Sequence, residues 1–203
     1  DIEFYTSVVD ERCIHCGICL RECPQGAKKA RSDVELAREL LRSGEAVAAS
    51  VAPSFAAVFP GDPFQMVGAL RKLGFKVVQE TALGAEMVAA EHRRLDSLGK
   101  GPFVGSSCPV VVSLVEKHYP GARKFLAPVV SPAIAHGRYL KKTHPGIRVI
   151  FVGPCVAKKD EIAQGEIADA VDMALTYREL QSLLDEEGVK VDTSPLNLYK
   201  FLS

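Results

Sequence analysis

The chain has 203 residues, of which 47% are hydrophobic, 7% aromatic and 25% charged, a balance that suits a globular domain with a real core plus a small appendage and excludes a disordered or fibrous chain. Lys and Arg number 25 and Asp and Glu also number 25, so no net field draws the chain to nucleic acid or to an anionic membrane surface. No window approaches roughly 18 consecutive apolar residues and no charged-then-apolar leader opens the chain, so the expectation is a cytoplasmic protein without a membrane span. The chain begins at Asp1 rather than Met, which leaves room for residues upstream.

Four of the six cysteines fall early, within "ERCIHCGICLRECPQGAKK". Cys13, Cys16, Cys19 and Cys23 follow C-x2-C-x2-C-x3-C with Pro24 behind, the spacing with which bacterial ferredoxins hold cubane iron–sulfur clusters. Closely spaced thiolates from one loop can grip several corners of one cube, and Gly17 frees the backbone to wrap it. Zinc fits less well, because zinc ribbons pair two distant CxxC units. In two-cluster ferredoxins the fourth cysteine of such a run serves the other cluster, so three ligands are firmer than four. His15, between two of them, reads as a loop residue rather than a ligand.

"RSDVELARELLRSGE" predicts a helix with Ser32 as N-cap, Glu35 closing a capping box, and a stop at Gly44. A buried strand "AVAASVAPS", a helix "DPFQMVGALRKLG", a strand "FKVVQET" and a helix "LGAEMVAAEHRRLDSLG" follow. Then come a strand "PFVGSSCP", helices "VVVSLVEKHYP" and "SPAIAHGRYLKKTHP", strands "IRVIFVGPC" and "AVDMAL", and a helix "YRELQSLLDEEG". Apolar strands alternating with helices predict an α/β fold, a mostly parallel sheet covered on both faces, behind a small N-terminal 4Fe-4S segment. The expected division is residues 1–31 for the iron–sulfur segment and 32–203 for the α/β domain, with no clear period after Gly188.

On this reading Cys108 and Cys155 each end a strand, where an open α/β sheet places its site, and the two thiols could share a metal centre. Either alone reads better as an inert core cysteine. His92, His118, His136 and His144 show no metal spacing and read as surface or satisfied core residues, and "EHRRLD" reads as a solvated helix face.

The segments "SSCPVVVSLVEKHYP", "SPAIAHGRYLK" and "GPCVAKKDE", with "APS" at Ala52–Ser54 and "GAE" at Gly84–Glu86, resemble the large-subunit catalytic domain of the iron-only (FeFe) hydrogenases. The resemblance runs from about residue 10 to about residue 185 and includes the ferredoxin-like head. It implies that Cys108 and Cys155 are cubane ligands, by their places beside Pro109 and Pro154 in the family's T-S-C-C-P and P-C-x-x-K-x-x-E patterns. It also implies that Lys158 and Ser54 donate hydrogen bonds to the cyanides of a di-iron centre, the H-cluster, with Glu161 keeping the family's spacing.

Three departures shape the expected activity. Ser107 stands where the family carries a proton-relay cysteine, and a hydroxyl is far less acidic than a thiol of pKa about 8.5. Gly153 stands where a methionine packs on the di-iron unit, which leaves that side open or differently filled, and the family's late double-cysteine motif does not occur before Ser203. The first two are similar to the family's sensory branch. The expectation is therefore a sensory or regulatory iron–sulfur protein with low hydrogen turnover and electron transfer through 4Fe-4S clusters. Its partners would be a redox or regulatory protein, with hydrogen and protons as substrates. The alternative is a hydrogenase-fold electron carrier or assembly protein without di-iron.

Overall fold

A computed structural model describes residues 8–59 and 61–191. The expected pattern-free tail lies outside these residues beyond residue 191, as do the first seven residues of the expected iron–sulfur segment.

Four strands form one sheet in the order β2-β1-β3-β4, and every neighbouring pair is parallel. They are β1 (Val47–Val51), β2 (Val77–Glu80), β3 (Arg148–Gly153) and β4 (Met173–Thr176). Parallel strands buried on both faces read as continuous apolar runs, and β1 is buried throughout. Side chains alternate between two cores along each strand. Val47, Ala49, Val51, Ile150 and Val152 enter one core, with residues of α2 (Val34–Arg42), α3 (Pro63–Lys72) and α8 (Tyr177–Glu186). Ala48, Val149 and Phe151 enter the other, with Ala133, Ile134 and Leu140 of α6 (Pro132–Thr143). Fully burying a leucine such as Leu70 or Leu180 contributes about 1.5–3 kcal/mol.

The second face carries an outer layer, α4 (Ala82–Ser97), which packs on α6. Contact is close enough to require glycine. A Cβ on Gly84 would lie 2.1 Å from the Pro132 carbonyl oxygen; elsewhere on α6, one on Gly137 would lie 2.3 Å from the carbonyl oxygen of Ala170, in the segment before β4. Beneath this layer His136 is fully buried, its Nδ1 2.8 Å from Ser50 Oγ and its Nε2 3.1 Å from Gln79 Oε1. Ser50 Oγ is also 2.9 Å from Thr81 Oγ1, so this polar chain is satisfied within the fold. His136 is thus the satisfied core residue its sequence context allowed.

Side-chain caps mark the starts of three helices among the described residues. Asp62 and Gln65 form a capping box for α3, Ser131 caps α6, and Thr176 with Glu179 forms a box for α8. At α2 the expected Ser32–Glu35 box does not form. Asp33 is the N-cap residue, and its backbone N–H donates instead to Glu179 Oε1 at 2.9 Å, from 146 positions away. A second correction concerns "PFVGSSCP". These residues make no strand of the sheet, only an isolated bridge between Val104 and Leu126. Cys108 therefore ends no strand; it is the N-cap residue of α5 (Pro109–His118).

Candidate iron–sulfur and redox site

Between β1 and β3 the chain connections leave the sheet in opposite directions, to β2 on one side and β4 on the other. Such a switch point opens a crevice at the carboxyl ends of the two strands. The β1 end leads into Ala52, Pro53 and Ser54; the β3 end leads through Pro154 to half-buried Cys155. Ser107 and Cys108, both exposed, come from the α5 N-terminus.

Lys158 opens the short helix α7 (Lys158–Glu161) and is buried, contrary to what a lysine pair usually signals. Its Nζ donates to Glu161 Oε2 at 2.6 Å, Ser131 Oγ at 3.0 Å and the Ser107 carbonyl oxygen at 3.3 Å. An ammonium has three protons, and all three are engaged. Glu161, also buried, pairs with it across one helical turn. These contacts join the segments that carry Cys108 and Cys155.

Ser54 Oγ lies 2.7 Å from the Tyr177 hydroxyl, which in turn donates to the Ala52 carbonyl at 3.0 Å. Tyr177 is buried, packs edge-on against Phe59, and burial pushes its pKa up. No local pattern points to this partner, which lies 123 positions from Ser54. Gly153 is buried too, and the space beside it is filled rather than open. A Cβ there would stand 2.6 Å from the Phe151 ring and 3.3 Å from Ala52 Cβ.

The clustered cysteines lie on a loop and on α1 (Ile18–Glu22). Cys16 and Cys19 are exposed, Cys13 and Cys23 half-buried, and all six cysteines are free. Left-handed backbone at His15 and Gly17 lets the run curl back on itself. Backbone N–H groups of Ala27, then Gln25, Lys28 and Gly26, aim at the Cys23 sulfur and hold its pKa below the ordinary thiol value. The His15 N–H stands 3.4 Å from Cys13 Sγ. Among the described residues no three His, Cys, Asp or Glu side chains are drawn around one point. The fit to a cubane rests on donor chemistry: four thiols on one short run, with N–H groups directed at sulfur.

The loop is docked against the body on two sides. Lys117 Nζ, near the end of α5, donates to the carbonyls of Asp10 (2.8 Å) and Cys13 (2.6 Å), and His118 Nε2 meets that of Arg12 at 2.8 Å. His15 Nδ1 is 3.0 Å from Asp160 Oδ2, so it is a docking residue rather than an idle loop residue. Gly17 faces Val156, immediately after Cys155.

Fold and cysteine pattern together define an iron–sulfur protein of hydrogenase type. Residues 45–201 match the family described as iron only hydrogenase large subunit, C-terminal domain, and residues 6–29 match the 4Fe-4S binding domain. The chain belongs to the iron-only hydrogenase large-subunit family. It is 29% identical over 219 residues to NADP-reducing hydrogenase subunit HndD of Solidesulfovibrio fructosivorans, covering 92% of this chain. It is 36% identical over 118 residues to the cytosolic Fe-S cluster assembly factor NAR1 of Eremothecium gossypii, covering 56% of this chain. It spans 37% and 26% of the lengths of these two relatives. A variant of the [FeFe]-hydrogenase HydA1 from Chlamydomonas reinhardtii superposes with TM-score 0.67 at 24% identity, over 81% of this chain and 50% of that one, which shows the fold. Among the described residues no helix is long and apolar enough to cross a membrane.

Proposed function

We propose that this chain is a sensory or regulatory iron–sulfur protein with low hydrogen turnover, in which electrons pass between a 4Fe-4S cluster in the head and a second cubane at Cys108 and Cys155. The observation that carries this reading is the docking of the cysteine run on the Cys155 loop, with Gly17 against Val156 and His15 against Asp160. Electron passage needs that proximity. Cys13, Cys16, Cys19 and Cys23 would hold the head cluster.

A di-iron group, when bound, supplies the open metal position at which hydrogen is split or formed. Lys158 and Ser54 are donor types that fit its cyanides, and they stand on the segments that follow β3 and β1 at the crevice. Each would exchange an own-chain partner for the ligand, Lys158 most easily the Ser107 carbonyl, its longest contact at 3.3 Å. Ser107, exposed and carrying a hydroxyl where a thiol would be far more acidic, supports slow proton delivery and hence signalling rather than turnover. A redox or regulatory protein is the expected partner, in the cytoplasm.

The second reading, an electron carrier or assembly protein without di-iron, is favoured by one observation. Both expected cyanide donors are already satisfied by the protein itself. The infrared spectrum of the protein matured anaerobically with the hydrogenase maturation enzymes separates the two readings. Carbon monoxide and cyanide bands that shift under hydrogen support the sensor; cubane iron and sulfide without such bands support the carrier. Cys108→Ala is expected to lower the iron content, and an unchanged content would remove the second cubane from both readings.

A further inference from the structure

Lys158 and Lys159 are sequence neighbours and both are buried, yet their ammonium groups serve different segments. Lys158 reaches toward Ser107, beside Cys108. Lys159 donates to Asp33 Oδ2 at 2.6 Å and to Glu179 Oε1 at 2.9 Å. Asp33 is the residue on which the chain turns from the head into α2, and Glu179 lies in the first turn of α8. The single helical turn that follows Cys155 is therefore fastened both to the Cys108 segment and to the exit of the cysteine run.

The second fastening is complete. The side chains of Lys159, Asp33 and Glu179 are 6%, 4% and 12% exposed. Glu179 Oε1 also accepts the Asp33 N–H at 2.9 Å, and Oε2 accepts the N–H (2.8 Å) and hydroxyl (2.7 Å) of Thr176. Arg31 Nε closes the outer side of Asp33 at 3.1 Å. Burial works against the Glu179 charge, but Lys159 and these donors outweigh it and hold its carboxyl below the usual carboxylate range. Well-packed apolar residues would stabilise such a spot as effectively as buried charges do. What a satisfied charged network adds is one fixed geometry among three segments.

We propose that Lys159 is a positioning residue for electron passage: through Asp33 and Glu179 it holds the cysteine run at one separation from the Cys155 loop. The inference rests on the two-centre reading above. In the step it governs, one electron leaves the reduced head cluster, which is oxidised by one unit, and the second centre is reduced by one unit. Dithionite supplies the electron from outside, and no bond or proton changes at Lys159.

Cys108 and Cys155 are two of the four thiolates a cubane takes, so the test uses the protein as its gene encodes it, reconstituted anaerobically with iron and sulfide. Electron paramagnetic resonance reads the magnetic interaction between the two reduced centres, and rapid mixing with dithionite reads the exchange rate. The pair variant Asp33→Asn with Lys159→Met keeps the net charge and leaves Glu179 its backbone and hydroxyl donors. It is expected to retain iron, sulfide and the unfolding midpoint but to lose the interaction and slow the exchange. Asp33→Glu keeps every charge and lengthens the bridge by one methylene, so it decides the matter if the pair variant does not fold. An altered interaction at full iron content supports the proposal, and an unaltered one overturns it. A pair variant that folds with wild-type interaction and rate makes Lys159 merely structural. A wild-type protein without a second centre removes the two-centre reading, and this proposal with it.

Discussion

A Cβ built on Gly17 would stand 3.1 Å from Cγ1 of Val156, so the loop that carries Cys16 meets the loop that carries Cys155 at a glycine. Gly17 also has φ of 76°, a left-handed conformation that costs a residue with a side chain roughly 1–2 kcal/mol. Gly17→Ala combines strain with a tight contact. The expected outcome is a head that reconstitutes with less iron while the α/β body keeps its unfolding midpoint, checked by iron analysis beside thermal denaturation. Full iron loading in the variant would show that the contact carries no weight.

Lys158 and Glu161 form a buried pair, 10% and 8% exposed at their side chains. Lys158→Met leaves a buried carboxylate without its counter-charge, which costs roughly 3–5 kcal/mol. Adding Glu161→Gln removes that charge and should recover most of the loss. Urea unfolding of the two variants and the wild type measures both differences, and a single variant as stable as the wild type would refute the pairing.

Burial depresses the pKa of His136 from 6.5 to about 4. The folded state therefore binds the proton less readily than the unfolded chain. Stability from this group is whole above the unfolded value, falls as pH drops from 6.5 toward 4, and changes no further below that. The span corresponds to about 3 kcal/mol. His136→Gln, which does not titrate, should start less stable near neutrality and lose less on acidification. Parallel unfolding free energies for wild type and variant, taken at intervals across the window, check the sign.

Gly84 sits where α4 meets α6, with the Pro132 carbonyl 2.1 Å and His136 Cβ 2.8 Å from any added Cβ. Backbone does not yield as a flexible side chain does. Gly84→Ala is expected to cost at least the roughly 1–3 kcal/mol typical of overpacking. Gly68→Ala on α3, where nothing lies within 4 Å, serves as the control and should be neutral or stabilising in thermal denaturation.

Most of the fold was legible because its boundaries obey local rules. The buried run at Val47–Val51, the Asp62–Gln65 and Thr176–Glu179 boxes, and the glycines ending α2 and α3 all act within a few residues. Where partners are remote, local rules mislead. The Ser32–Glu35 signature is locally sound, but Glu179 takes the Asp33 N–H from across the fold. Residues 102–109 have strand-like composition, yet a strand needs a ladder, and the sheet already ends at β2 and β4. The candidate site divides in the same way. Cysteine spacing could be read directly, and the Lys158–Glu161 interval came with the family resemblance. The burial of Lys158 and Lys159, the Tyr177 partner of Ser54 and the docking role of His15 depend on contacts between distant segments.

Helix α5 carries Cys108 at its start, while Lys117 and His118 near its end grip the carbonyls of Asp10, Arg12 and Cys13. At 1.5 Å per residue its ten residues make a rod about 15 Å long. Such a rod is a spacer with a phase as well as a length. One residue inserted in it would swing Lys117 and His118 by about 100° around the axis, away from the carbonyls they hold. A whole added turn would restore their direction but push them about 5.4 Å too far. The stretch from Pro109 to His118 can therefore change many of its side chains, but it cannot change its number of residues and still seat the head.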